Sequence, residues 1–225
     1  MLQRLISYVF PNRCIFCGEK IPFDRYFCEN CSIPEKPCVR MFNLKPGRKG
    51  LNSHILKVHS PALYEGYYRK SLHLYKFRKK TVFADSYAKL ITDMGIYDKE
   101  ADFVTYVPLT KKKLRDRGYN QSELIARKIS LYTQIPLKGT LIIIKDNSLQ
   151  HTLTKDERRK NVKDVYEVST DVKGKNIILV DDIVTTGATL TACASLLYKA
   201  GALCVSGICA ADAQTRNHSE NTRKI

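Results

Sequence analysis

Long apolar runs are missing from this 225-residue chain. Its longest apolar stretches fall well short of the roughly 18 residues that a membrane span requires, so no transmembrane helix and no membrane insertion is expected. A secretory cleavage site is missing too: the short apolar run within Met1 to Phe10 is broken by Arg4 and followed by Pro11 and Cys14, with no small-residue site after it. The expected location is the cytoplasm. There is no internal repeat, and no aromatic-and-basic signature of the RRM type. Acidic residues are scarce, 22 against 38 Lys and Arg, which leaves a formal net charge of +16. A field of that sign draws polyanions, either nucleic acid or phosphorylated metabolites, and charge alone does not choose between them. The length suits one α/β domain with a small appended module and excludes two large domains.

Four of the eight cysteines fall as Cys14-x2-Cys17-x10-Cys28-x2-Cys31. Two such knuckles can direct four thiolates at one tetrahedral zinc ion, which then stabilises a segment too short for a core of its own. Paired disulfides or a redox dithiol are the alternatives, and a cytoplasmic setting disfavours disulfides. Four thiolates leave no open coordination position, so a zinc ion here would be structural rather than catalytic. Cys38 is left over, and Cys193, Cys204 and Cys209 stand in apolar runs and read as plain buried residues.

The pattern divides the chain into a zinc-binding module over 1–45, a linker over 46–62, a main domain over 63–213 and a disordered polar tail over 214–225. Apolar spacing predicts helices over Tyr67 to Phe77 and Val82 to Met94. A short strand follows at Phe103 to Val107, then a basic loop from Lys111 to Gly118. Asn120-Gln121-Ser122-Glu123 reads as a helix cap, with the helix running to about Tyr132. Strands are expected at Leu141 to Ile144, Val165 to Val168 and Ile177 to Val180. A helix over Thr186 to Ala200, ended by Gly201, then leads to a last strand at Leu203 to Cys209. Strands alternating with helices predict an α/β fold with a mostly parallel sheet covered on both faces.

The chemistry concentrates where the strand Ile177 to Val180 runs into Asp181, Asp182 and the loop Thr185-Thr186-Gly187-Ala188-Thr189. Ligands of open parallel sheets collect beyond the carboxyl ends of strands. Three hydroxyls, a glycine and the amides of a helix amino terminus suit a phosphate. The two carboxylates only accept hydrogen bonds, which suits ribose hydroxyls, and they can also help to hold magnesium indirectly. An ordinary acidic turn that caps a helix would account for Asp and Thr singly, but not for the combination.

These residues resemble the type I phosphoribosyltransferase signature, which binds phosphoribosyl pyrophosphate (PRPP). Further motifs narrow the resemblance: Pro108, Lys112, Arg115, the run Arg117-Gly118-Tyr119-Asn120-Gln121, then Gln150, Leu153, Glu157-Arg158 and Asn161. Together with the cysteine knuckles they resemble the ComF family of competence-associated proteins, from Cys14 to about Ala211. Family members often carry a second C-x-x-C where this chain has only Cys38, and an arginine where it has Ile143 and Lys145. The resemblance implies a phosphoribosyltransferase-like domain over 63–213. Asp181 and Asp182 would hold the ribose hydroxyls, and Thr185, Thr186, Gly187, Ala188 and Thr189 the 5'-phosphate. Lys112, Arg115 and Arg117 would lie near the pyrophosphate, and Gln150, Arg158 and Asn161 would belong to a mobile hood. Zinc and magnesium are the implied metals.

Two functions compete. The chain can serve DNA uptake during natural transformation, with PRPP, single-stranded DNA and a DNA-uptake helicase or other competence proteins as partners; Tyr119 or Tyr166 would then stack on bases. Each tyrosine taken alone reads as packing. Alternatively it transfers ribose 5-phosphate from PRPP to an unidentified base and releases pyrophosphate. No general base is assignable, so the catalytic residues are unknown. A purely structural zinc adaptor would bind nothing in the pocket.

Overall fold

The structure is a computed structural model that describes residues 12–22, 25–31, 34–44, 54–144 and 165–214. Its main sheet has five strands: β3 (Cys38–Leu44), β4 (His54–Ser60), β5 (Phe103–Tyr106), β8 (Asn176–Val184) and β9 (Cys204–Asp212), in the order β3-β4-β9-β8-β5. Three pairings are parallel, and only β3 with β4 is antiparallel. The helices are α1 (Gly66–Phe77), α2 (Phe83–Asp93), α3 (Lys111–Arg117), α4 (Gln121–Thr133) and α5 (Ala188–Lys199). Two further pairs stand apart, β1 (Asn12–Arg13) with β2 (Lys20–Ile21), and β6 (Leu141–Ile143) with β7 (Tyr166–Val168).

Both faces of the sheet are covered, and the period-2 alternation of β8 shows how. Ile178 and Val180 join a core cluster with Tyr75 of α1, Tyr87 and Ile91 of α2, and Ile125 and Ile129 of α4. Ile177 and Leu179 join the opposite cluster with Leu190, Cys193, Ala194 and Leu197 of α5. A strand buried on both sides reads as a continuous apolar run, which is how Ile177 to Val180 appears in the sequence. Cys193 and Cys209 are buried in these cores, as their apolar surroundings predict, whereas Cys204 is exposed.

Four local expectations need correction. Residues 54–60 lie in the stretch read as linker, yet they form β4, hydrogen-bonded between β3 and β9. Leu56 and Val58 are buried while Ile55 and Lys57 point outward, a half-buried strand whose polar alternate positions hid its period. Lys111 to Arg117 is not a loop but a helix: Thr110 Oγ1 accepts from Lys113 N at 3.3 Å, and Gly118 ends it with a left-handed cap. β8 does not stop at Val180 but runs through both aspartates to Val184. Leu141–Ile143 and Tyr166–Val168 pair with each other instead of joining the main sheet. The segment 145–164, with Gln150, Arg158 and Asn161 of the expected hood, lies outside the described residues, as does 215–225 of the expected tail.

Candidate functional site

β8 delivers the two aspartates in adjacent positions, directly after its apolar run Ile177 to Val180. Asp182, only 9% exposed, pairs with Lys76 of α1, Nζ to Oδ2 2.7 Å. Asp181 Oδ1 accepts from Ser122 Oγ at the start of α4 and from the Asp182 amide, both at 2.8 Å. Burial first, and then the neighbouring Asp182 charge, push the Asp181 carboxyl from the usual 3.8 up to about 7, against the pull of Ser122, the Asp182 amide and Lys76. The site therefore holds one strongly paired carboxylate and one whose charge is disfavoured. Such a pair is a common mark of a functional cleft.

Beyond β8 the chain turns through Thr185 and Thr186, both exposed, into α5. Gly187 caps α5 at φ 75°, in the left-handed region, and a side chain there is barred twice over. An added Cβ would also stand 2.3 Å from Cε1 of Phe42 on β3. From the same strand the Arg40 guanidinium donates to the Thr185 carbonyl and reaches Asp212 Oδ1 at 3.3 Å. β3 thus braces the turn whose amides open the 12-residue helix α5, where the helix dipole favours an anion.

On the other side of Asp182, Lys76 leads into a cleft of about 210 Å³ lined by Lys76, Phe77, Lys79, Lys113, Asp116 and Arg117. Arg117 also donates to Gln121 Oε1 at 3.0 Å. Of the three basic residues expected near a pyrophosphate, only Arg117 lines this cleft. Lys112 and Arg115 are exposed elsewhere on α3. Sequence reasoning missed Lys76, Ser122, Arg40 and Phe42, which reach the site from α1, α4 and β3. Lys76 stood inside a basic run indistinguishable from a solvated helix face, and Arg40 inside the stretch assigned to the cysteine module. Tyr119 donates to the Tyr75 carbonyl and packs on the α1–α2 side, and Tyr166 packs against the α5 side, so both are packing residues.

The cysteines form the second centre. The sulfurs of Cys14, Cys17, Cys28 and Cys31 all lie within 4.8 Å of one another, with Cys17 to Cys28 at 3.6 Å. A tetrahedron with metal–sulfur bonds of about 2.3 Å has edges of about 3.8 Å, so a zinc ion fits after small adjustments. Burial pushes the Cys28 and Cys31 thiols up. Burial also acts to raise Cys14, but hydrogen bonds from the backbone of Cys28, Cys17 and Phe16 outweigh it and bring that thiol down to about 7. Four thiols this close cannot all ionise without a cation between them.

The module is not free-standing. Ile15 is fully buried in the α1–α2 cluster, Phe16 stacks on Tyr68 at 5.4 Å, and Tyr26 Oη donates to Asp93 Oδ2 at 2.8 Å. Gly18, at φ 84°, lies under Tyr67 so closely that a Cβ would come within 2.2 Å of the ring.

Comparison with known proteins agrees with this geometry. Residues 116–223 match the family described as "Phosphoribosyl transferase domain". The chain is 26% identical over 207 residues to the DNA utilization protein YhgH of Escherichia coli O157:H7, covering 87% of this chain and 88% of that one. It is 26% identical over 199 residues to Competence protein ComFC of Bacillus subtilis, covering 84% and 78%. To Competence protein F of Haemophilus influenzae it is 33% identical over 99 residues, covering 42% and 43%. With a match to the phosphoribosyl transferase domain, a four-cysteine cluster and relatives that share most of its length, the chain is similar to the ComF-like phosphoribosyltransferase-fold proteins.

Proposed function

We propose that the chain binds PRPP with magnesium at the end of β8 and acts in DNA uptake during natural transformation, handling single-stranded DNA. The observation that carries it is the joining of an acid pair on β8, Asp181 and Asp182, through a short turn to a hydroxyl- and amide-lined helix start. The acids suit ribose hydroxyls, and Thr185 to Thr189 suit the 5'-phosphate. Lys76 beside Asp182, and Arg117 in the adjoining cleft, supply positive charge for a diphosphate. The carboxylate oxygens fit a hard cation such as magnesium, but Lys76 already neutralises Asp182, so the ion would be held chiefly through the diphosphate. When bound, magnesium would offset the diphosphate charge. The cysteine cluster would hold structural zinc.

A DNA role draws support from relatives named for DNA utilization and competence, and from the +16 charge. A DNA-uptake helicase or another competence protein is the expected partner. Action in the cytoplasm is part of the proposal; among the described residues no helix is long and apolar enough to cross a membrane.

The raised Asp181 carboxyl favours a second reading, transfer of ribose 5-phosphate to an acceptor base with release of pyrophosphate. In that reaction the acids would steady the ribose, and Arg117 would offset charge on the leaving pyrophosphate. Calorimetry with PRPP and magnesium tests the pocket: binding by the native protein and its loss in the Asp181→Asn/Asp182→Asn variant is expected, and no binding by the native protein sinks it. A pyrophosphate-release screen across nucleobases decides on the transferase, which fails if every base is silent.

A further inference from the structure

The cleft beside Asp182 has features that a small phosphorylated ligand does not need. Four of its six lining residues are cationic, and one is a large aromatic residue left in solvent, Phe77, 56% exposed. The Arg117 guanidinium lies 5.4 Å from the centre of the Phe77 ring, and the His73 ring centre lies 4.8 Å from it. Lys79 enters the cleft by way of a left-handed backbone, φ 54°, a conformation that costs a residue with a Cβ about 1 kcal/mol or more. Its side chain lies over Gly118, at the end of α3. Strain of this kind persists where the surroundings hold it, and here it brings the α1 exit and α3 together as two cationic walls.

Among the described residues Lys79 and Lys113 have no carboxylate partner. Nor do Arg78 and Lys80, next to Lys79 in the chain, or Lys111 on α3, so further cationic side chains stand close in sequence to both walls. A cationic track that flanks an exposed ring is the arrangement that binds single strands, with charge following the phosphates and a base stacked on the aromatic face.

We propose that the cleft between α1 and α3 is the single-stranded nucleic-acid site, with Lys79 and Lys113 on the phosphates and Phe77 as the platform for a base. This rests on the DNA-handling reading above and gives it a location distinct from the helix start that would hold the 5'-phosphate. The test is fluorescence anisotropy with a labelled oligothymidylate of about 20 nucleotides across a salt series, on zinc-loaded full-length protein whose fold is checked by circular dichroism. Stacking is worth about 1–3 kcal/mol per base. Phe77→Ala should therefore weaken binding about 5- to 150-fold, and Phe77→Tyr should restore it. Lys79→Ala/Lys113→Ala should reduce the slope of log affinity against log salt by about 1.4, from about 0.7 per phosphate on a single strand.

PRPP affinity, measured alongside, should be unchanged by Lys79→Ala/Lys113→Ala. If the oligonucleotide binds equally well to native, Phe77→Ala and double-lysine proteins, the location is wrong while DNA handling stands. If the native protein binds no oligonucleotide, both fall. If the lysine variant loses affinity for pyrophosphate while its DNA affinity and salt slope hold, the cleft is a diphosphate site and the proposal is overturned.

Discussion

Replacing Asp181 by Asn should stabilise the unliganded protein at pH 8 and leave it unchanged near pH 4. Both hydrogen bonds to this side chain, from Ser122 Oγ and the Asp182 amide, arrive at the same oxygen, Oδ1. An asparagine keeps that acceptor and loses only the charge. The carboxyl titrates at about 7 in the folded chain against 3.8 for an unperturbed group, so folding favours its protonated form. The stabilising contribution is full below pH 3.8, declines as pH rises through the interval, and is gone above 7. At about 1.4 kcal/mol per unit the difference of about 3 units corresponds to roughly 4 kcal/mol. Solvent reaching this partly exposed carboxylate reduces the expected gain in Asp181→Asn to roughly 2–4 kcal/mol at pH 8. Urea unfolding followed by circular dichroism at pH 5, 6, 7 and 8 measures it, and taking native minus variant cancels the other titrating groups. A difference that stays flat with pH, or a variant less stable at pH 8, would refute the reasoning. The same substitution is expected to weaken PRPP binding, so the acid pair would be a case of stability given up for a binding site.

Gly187→Ala should destabilise by about 1–2 kcal/mol from the left-handed backbone alone, with more from the collision with Phe42. Combining it with Phe42→Ala should return only the collision part, as thermal melting of the single and double variants would show. Ile15→Ala removes a fully buried side chain at the junction of the cysteine module with α1 and α2. A loss of about 2–5 kcal/mol is expected, read as a lower urea midpoint with an unchanged slope. One zinc per chain is expected on metal analysis, and Cys17→Ser should lower that occupancy; because the module packs on α1 and α2 through Phe16 and Tyr26, chelation should also lower the melting temperature of the whole domain.

Local chemistry was legible in the chain itself. The two-sided burial of β8 appears as an unbroken apolar run, the Thr-Gly turn as the start of a helix, the cysteine spacing as four converging thiols, and α1, α2, α4 and α5 as apolar periods near their observed bounds. These features are encoded within a few residues, by side-chain alternation, caps and ligand spacing. Tertiary structure alone decided what comes from far away: Lys76 on Asp182, Ser122 on Asp181, Arg40 and Phe42 on the Thr185–Gly187 turn, and Lys79 against α3. Half-buried β4 was hidden by its polar alternate residues, and α3 by a run of lysines that has no buried face. The cysteine module shows the division most simply. Spacing determines that four thiols can converge on one ion. That the module also shares a core with α1 and α2 depends on Ile15 and Phe16 meeting partners more than 50 residues along the chain, which no local pattern records.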